Sequence, residues 1–112
     1  MRKISWNDFE NVDLRVGTIV DAEDFPEARK PAYILHVDLG EELGIKKSSA
    51  QITDEYTTKE LVGKQVICVT NFPEKQIGPI KSQILVTGFT NSKGHIVLAG
   101  VDGVVPNGAK LH

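Results

Sequence analysis

The side chains with catalytic potential are few and scattered. The chain holds three histidines and one cysteine. His36, His95 and His112 are far apart in sequence, and none stands beside a cysteine or aspartate at ligand spacing. Neither H-E-x-x-H nor C-x-x-C occurs, so no metal site is expected. Cys68 sits in the apolar run Val66-Ile67-Cys68-Val69, where a thiol is an inert core residue. No G-x-S-x-G elbow is present. Gly88-Phe89-Thr90-Asn91-Ser92-Lys93-Gly94 lacks the G-K-[ST] ending of a phosphate loop and reads as a turn. The acidic residues Glu41, Glu42 and Asp21 to Glu27 fall in turn-like, solvated stretches. The expectation is a protein that is not an enzyme and has no cofactor.

Two stretches carry binding chemistry instead. Lys46-Lys47-Ser48-Ser49-Ala50-Gln51 is too polar for a strand that serves only a core. It is either an edge strand protected by lysines or a polar binding surface. The second, Asn71-Phe72-Pro73-Glu74-Lys75-Gln76-Ile77-Gly78-Pro79-Ile80-Lys81-Ser82, reads as a long connection without regular structure. It joins apolar and cationic groups and is stiffened by two prolines. Connections of that length in compact domains are commonly functional.

The elements that must hold these stretches follow from periodicity and punctuation. Ser5 and Asp8 form a capping box for a short helix over 6–11, with Trp6 and Phe9 on one face that has to be buried. A long strand over 12–21 places Val12, Leu14, Val16 and Val20 on an apolar face, with Gly17 as its bulge or bend. A second strand, 32–39, turns Leu35, Val37 and Leu39 one way and His36 and Asp38 the other. Strands over 45–52, 65–71, 83–90 and 96–99 follow. A helix over 58–62 is capped by Thr57 and Glu60 and stopped by Gly63. Asn91 to Gly94 is a hairpin turn. This order predicts an all-β fold with short helices: one domain over 1–112, a five-stranded OB-fold β-barrel with an N-terminal helical extension (1–11) and a C-terminal extension.

Composition agrees with a single binding domain. The chain has 112 residues, 40% hydrophobic and 25% charged, and a net charge of −2 from 13 basic and 15 acidic residues. That balance argues against holding nucleic acid by bulk electrostatics. No apolar stretch reaches membrane-span length, and the N-terminal residues turn polar early, so a cytoplasmic protein is expected.

The segment Asp8-Phe9 … Val12-Asp13-Leu14-Arg15-Val16-Gly17-Thr18-Ile19 resembles the start of the tRNA-binding domain family. The loop Asn71-Phe72-Pro73 … Lys75-Gln76-Ile77-Gly78 … Lys81-Ser82 is similar to that family's second signature. Phe25-Pro26-Glu27-Ala28-Arg29, Ser48 to Thr53 and Pro106-Asn107-Gly108 resemble its branch of small export-related chaperones. Glu74 and Gln76 stand where synthetase-linked members are more basic. The resemblance implies a non-catalytic OB-fold homodimer that binds unfolded or pre-secretory polypeptides or, alternatively, tRNA by its shape.

Site expectations divide accordingly. For a polypeptide, Phe72, Ile77 and Ile80 supply apolar contacts, and Ser49, Gln51 and Asn71 supply hydrogen bonds. For tRNA, Lys46, Lys47, Lys75, Lys81 and Ser82 would meet phosphates, with Arg15 or Arg29 in support. The aromatic face of the first helix, which persists only when docked, and the segment containing Val104, Val105 and Leu111 are expected at a two-fold homodimer interface, the alternative being that both cover the open ends of their own barrel.

Overall fold

The computed structural model describes all 112 residues. Both short helices begin at the expected caps. In α1 (Trp6–Glu10) the Ser5 hydroxyl accepts from the Asp8 N–H, and the Asp8 carboxylate accepts from the Ser5 N–H, both at 3.0 Å. Thr57 and Glu60 make the same reciprocal pair for α2 (Thr58–Leu61). The strands are β1 (Leu14–Asp24), β2 (Tyr33–Asp38), β3 (Ile45–Ala50), β4 (Gln65–Val69), β5 (Lys75–Ile77), β6 (Ile80–Ser82), β7 (Leu85–Val86), β8 (Gly88–Thr90) and β9 (Ile96–Leu98).

Five strands form one antiparallel sheet in the order β3-β2-β1-β4-β7. Its two edges curl toward each other. The Gln83 N–H donates to the Lys47 carbonyl at 2.8 Å, the Gln83 side chain accepts from the Lys47 N–H, and the Ser82 hydroxyl accepts from the Ser49 N–H. The expected five-stranded OB-type barrel is therefore present and nearly closed. The lysine-bearing strand β3 is its edge, and residues 82 and 83 satisfy both backbone groups of Lys47 and the N–H of Ser49.

β1 differs from its sequence reading in phase. The bulge falls at Val20, between Ile19 and Asp21, not at Gly17. Residues before the bulge already face opposite to the expectation, and the extra residue reverses the phase only after it, turning Ala22 toward the core. Ile19 is fully buried, whereas Val20 is 42% exposed. Val16 is also buried, but on the outer side, beside Ile67, Val105 and Ala109. Gly17 serves close approach: a Cβ there would lie 2.5 Å from Val37 Cγ1 and 2.8 Å from Leu39 Cδ2. On β2 the expected alternation holds, with Leu35, Val37 and Leu39 buried and His36 and Asp38 half-buried.

Two further expectations are corrected. Residues 71–82 are not irregular: β5 and β6 pair as a hairpin across Gly78-Pro79, with Ile77 opposite Ile80 and Gly78 at φ +53°. Ile77 and Ile80 pack on Phe25, Ala32 and Ile34, a small second core on the outer side of β2. The strand expected over 83–90 is broken at Thr87, where the chain changes partner from β4 to β9. Thr87 donates its N–H to the Ile67 carbonyl while its own carbonyl accepts from Ala99.

The C-terminal segment runs along the first half of β1. Gly108 donates to Val16, Val16 to Ala109, and Leu111 to Leu14, at 2.7, 2.9 and 2.8 Å. Gln65 fastens the same segment through the Val105 backbone and the Asn107 side chain. Helix α1 itself buries no residue in the monomer, and Trp6 remains 66% exposed. The barrel interior is already filled by strand residues, so the helix lies outside it.

The Gly17 contact yields a direct expectation. Gly17→Ala forces Val37 and Leu39 to move and destabilises the fold by about 1–3 kcal/mol. Urea denaturation should show a lower midpoint with an unchanged slope.

Candidate functional site

A groove of about 410 Å³ opens beside the barrel seam, lined by Ser49, Phe72, Pro73, Lys75, Ile77, Ser82, Ile84 and Leu85. Its volume falls in the range of small-molecule and side-chain pockets. Three elements build it. The β3 edge brings Ser49, the β5–β6 hairpin brings Lys75, Ile77 and Ser82, and the chain entering β7 brings Ile84 and Leu85. Phe72 and Leu85 are 55% and 46% exposed, large apolar surface at a concave site.

Of the expected polypeptide-binding residues, Ser49, Phe72 and Ile77 meet in this groove. Ile80 packs against the second core instead, and Gln51 is exposed just beyond β3. Asn71 is spent internally: its Oδ1 accepts from the Asp13 N–H at 3.0 Å, and its Nδ2 donates to the Asn11 carbonyl at 2.8 Å. Pro73, Ile84 and Leu85 were not expected. Leu85 opposes Val69 across the β4–β7 pair, a register that no local sequence signal announces.

The expected tRNA-binding residues do not gather. Lys46 and Lys47 are neighbours on one strand and so point to opposite faces of it. Lys46 opposes the buried Val37, and Lys47 opposes His36. On the hairpin Lys75 pairs with Ser82 and Lys81 with Gln76, again on opposite faces. Lys75 and Ser82 line the groove. Arg15 is engaged: Nε donates to the Asp13 carboxylate at 3.0 Å and Nη1 to Glu42 at 3.0 Å. Burial would raise the Asp13 pKa, but hydrogen bonds from Thr70 and Arg15 and the charges of Arg15 and Lys110 outweigh it and hold the carboxyl below its ordinary range.

Cys68 is fully buried, and burial pushes its thiol up to about 12. His36 Nε2 lies 3.7 Å from Glu23 Oε1. His95 Nδ1 lies closer to a carboxylate, 2.6 Å from Glu55 Oε2, which also accepts from Asn91 Nδ2 at 3.2 Å. These contacts clasp the β8–β9 turn to the residues before α2. The Tyr56 hydroxyl, accepting from the Leu98 N–H, strengthens the clasp. The two residues are 40 apart in sequence, which hid the pair from a local reading.

The sequence pattern of the tRNA binding domain family matches residues 14–110. The chain belongs to the tRNA-binding domain family. Among solved structures it is similar to the CsaA chaperone of Bacillus anthracis str. Ames, at 44% identity over 99% of this chain and 100% of that one, with a TM-score of 0.91. The CsaA chaperone protein of Picrophilus torridus is equally similar, at 44% identity over 98% of this chain and 100% of that one, with a TM-score of 0.92. A methionine–tRNA ligase of Flavobacterium johnsoniae is 31% identical over 109 residues, which are 97% of this chain and 15% of the ligase.

The clasp has a pH signature. Hydrogen bonds from His95 and Asn91 lower the Glu55 pKa from its ordinary 4.5. A carboxylate with a depressed folded value contributes stability that is complete above its unfolded value and is lost as pH falls through the folded value. Glu55→Gln should therefore show a smaller loss of urea resistance on acidification from neutral pH than the parent protein. Equal losses would remove Glu55 from the acid response.

Proposed function

We propose that this protein is a non-catalytic, cytoplasmic, chaperone-type binding protein that holds unfolded or pre-secretory polypeptide segments in the groove at the barrel seam. The observation that carries this reading is the groove's composition: apolar Phe72, Ile77, Ile84 and Leu85 surround a floor with only Lys75 charged. Such a surface gains by covering apolar side chains, at roughly 25 cal/mol per Å² removed from water. Ser49 would help orient a peptide backbone, and the Ser82 hydroxyl, which accepts from the Ser49 N–H across the seam, can still donate to it. The likeness to CsaA chaperones over the whole chain supports the same class of ligand.

Binding of tRNA is the second reading, favoured by the family match and by the methionine–tRNA ligase relatives. The chain spans about 15% of the length of that ligase. Lys46, Lys47, Lys75 and Lys81 have no carboxylate partners, so they are free to meet phosphates. Their dispersal over alternating faces, and the engagement of Arg15, leave few of them able to contact one nucleic acid backbone together. Salt dependence separates the readings, because affinity for tRNA falls steeply with salt in proportion to the phosphates neutralised.

The homodimer is part of the proposal. Trp6, Phe9, Val12 and Leu111 line a cleft that also carries Glu10, Lys110 and His112. An apolar patch edged by an acid and basic groups can be self-complementary across a two-fold axis, as an isologous interface requires. Light scattering should give about twice the 12.3 kDa of one chain, and a mass equal to one chain would contradict the dimer.

Leu85→Asp places a charge in the groove without touching the seam hydrogen bonds. It should abolish the protection of a denatured client protein against aggregation while leaving the melting temperature within a few degrees of the parent. Full protection by Leu85→Asp would exclude the groove as the binding site.

A further inference from the structure

Asn71 immediately precedes Phe72, the aromatic wall of the groove, yet its side chain reaches away from the groove to the end of helix α1. Nδ2 donates to the carbonyl of Asn11, the residue that caps α1, and Oδ1 accepts from the Asp13 N–H. Thr70 adds a parallel stitch: its N–H donates to the Asp13 carbonyl at 2.9 Å and its hydroxyl to the Asp13 carboxylate at 2.6 Å. The segment leading into Phe72 is thus fixed to the helix–strand junction by five hydrogen bonds, two of them from the Thr70 hydroxyl. After Phe72 the chain has no such tether until Gln83 binds Glu74.

Resting on the polypeptide reading of the groove, we propose that Asn71 is a positioning residue that couples the groove to helix α1. Its two side-chain hydrogen bonds fix the backbone that aims Phe72. A ligand that holds Phe72 therefore also biases the placement of Asn11 and the helix it caps. Coupling of this kind is reciprocal: whatever restrains α1 improves the groove by the same factor that ligand restrains α1. Because α1 presents the exposed Trp6–Phe9 pair, with ring centroids 5.4 Å apart, the linkage joins ligand binding to the face on which a second copy would seat.

The chain supplies its own reporter, since Trp6 is its one tryptophan, sits on α1 and does not line the groove. The probe is a short, tryptophan-free, dye-labelled peptide alternating leucine with serine. Its affinity is read by anisotropy, and Trp6 emission is read separately at saturation. In the parent protein the peptide should bind and Trp6 emission should shift. Asn71→Asp keeps the acceptor for the Asp13 N–H but loses the donor to Asn11. It should bind about tenfold more weakly, in line with the loss of one well-placed hydrogen bond, and its Trp6 emission should not move at saturation. Asn71→Ala should behave alike, and melting curves verify that each variant folds. An unchanged Trp6 shift in Asn71→Asp overturns the coupling. So does a parent protein that binds the peptide with no Trp6 response, although the groove reading then stands. A shift that survives Leu85→Asp means that the peptide touches α1 directly, which also overturns it. Absence of any peptide binding to the parent defeats both this coupling and the reading beneath it.

Discussion

The missing side chain at Gly17 is the constraint on which the architecture depends. β1 crosses the floor of the barrel there, and Val37 Cγ1 and Leu39 Cδ2 occupy the space that a Cβ would need. With β2 able to close on β1 at that point, the bulge at Val20 redirects the second half of the strand. The sheet can then curl until β3 meets the chain entering β7. That meeting is sealed by Gln83 and Ser82 rather than by a continuous ladder. The groove opens beside this incomplete seam.

The seam also explains why the polar strand β3 reads ambiguously. Ser48 is buried at 1% exposure, while Ser49 lines the groove. Inward-facing and groove-facing positions thus alternate along one strand. The hairpin does similar double service. Ile77 faces both the second core and the groove, so the hairpin is held in place by part of the apolar surface it offers. Charge is distributed differently. Lysines alternate across β3 and across the hairpin, and the one arginine of β1 is neutralised by Asp13 and Glu42. A ligand recognised through apolar contact suits this surface better than one recognised through a line of phosphates.

Local chemistry made much of the fold legible. The two capping boxes, the alternation on β2, the inert Cys68 and the order of strands around one intervening helix are all short-range patterns, and they appear where the residues predict. Misplaced features depend on partners distant in sequence. Gly17 looks like a bend because glycine in a strand has several uses, and only the position of Leu39 reveals close approach. The apolar set Val12, Leu14, Val16 and Val20 suits a core face, but before the bulge it is the alternate residues Gly17 and Ile19 that face the core. Thr87 breaks a strand because two partners compete for it. In the site, Phe72, Ile77 and Ser49 were visible as exposed apolar and polar groups in unusual settings. Asn71 has the residue type of a ligand contact but is spent on Asn11 and Asp13, 60 and 58 residues away. Leu85 looked like an ordinary strand residue.

The account stands on the groove at the seam being the place where polypeptide binds. Amide chemical-shift mapping tests this most directly, with the isotopically labelled protein titrated first with an unfolded polypeptide and then with tRNA. The account predicts that the polypeptide moves the signals of Ser49, Phe72, Lys75, Ile77, Ser82 and Leu85 together at moderate salt, and that tRNA does not. A polypeptide that leaves those six signals in place, while tRNA moves the signals of β3 and the β5–β6 hairpin, would contradict it.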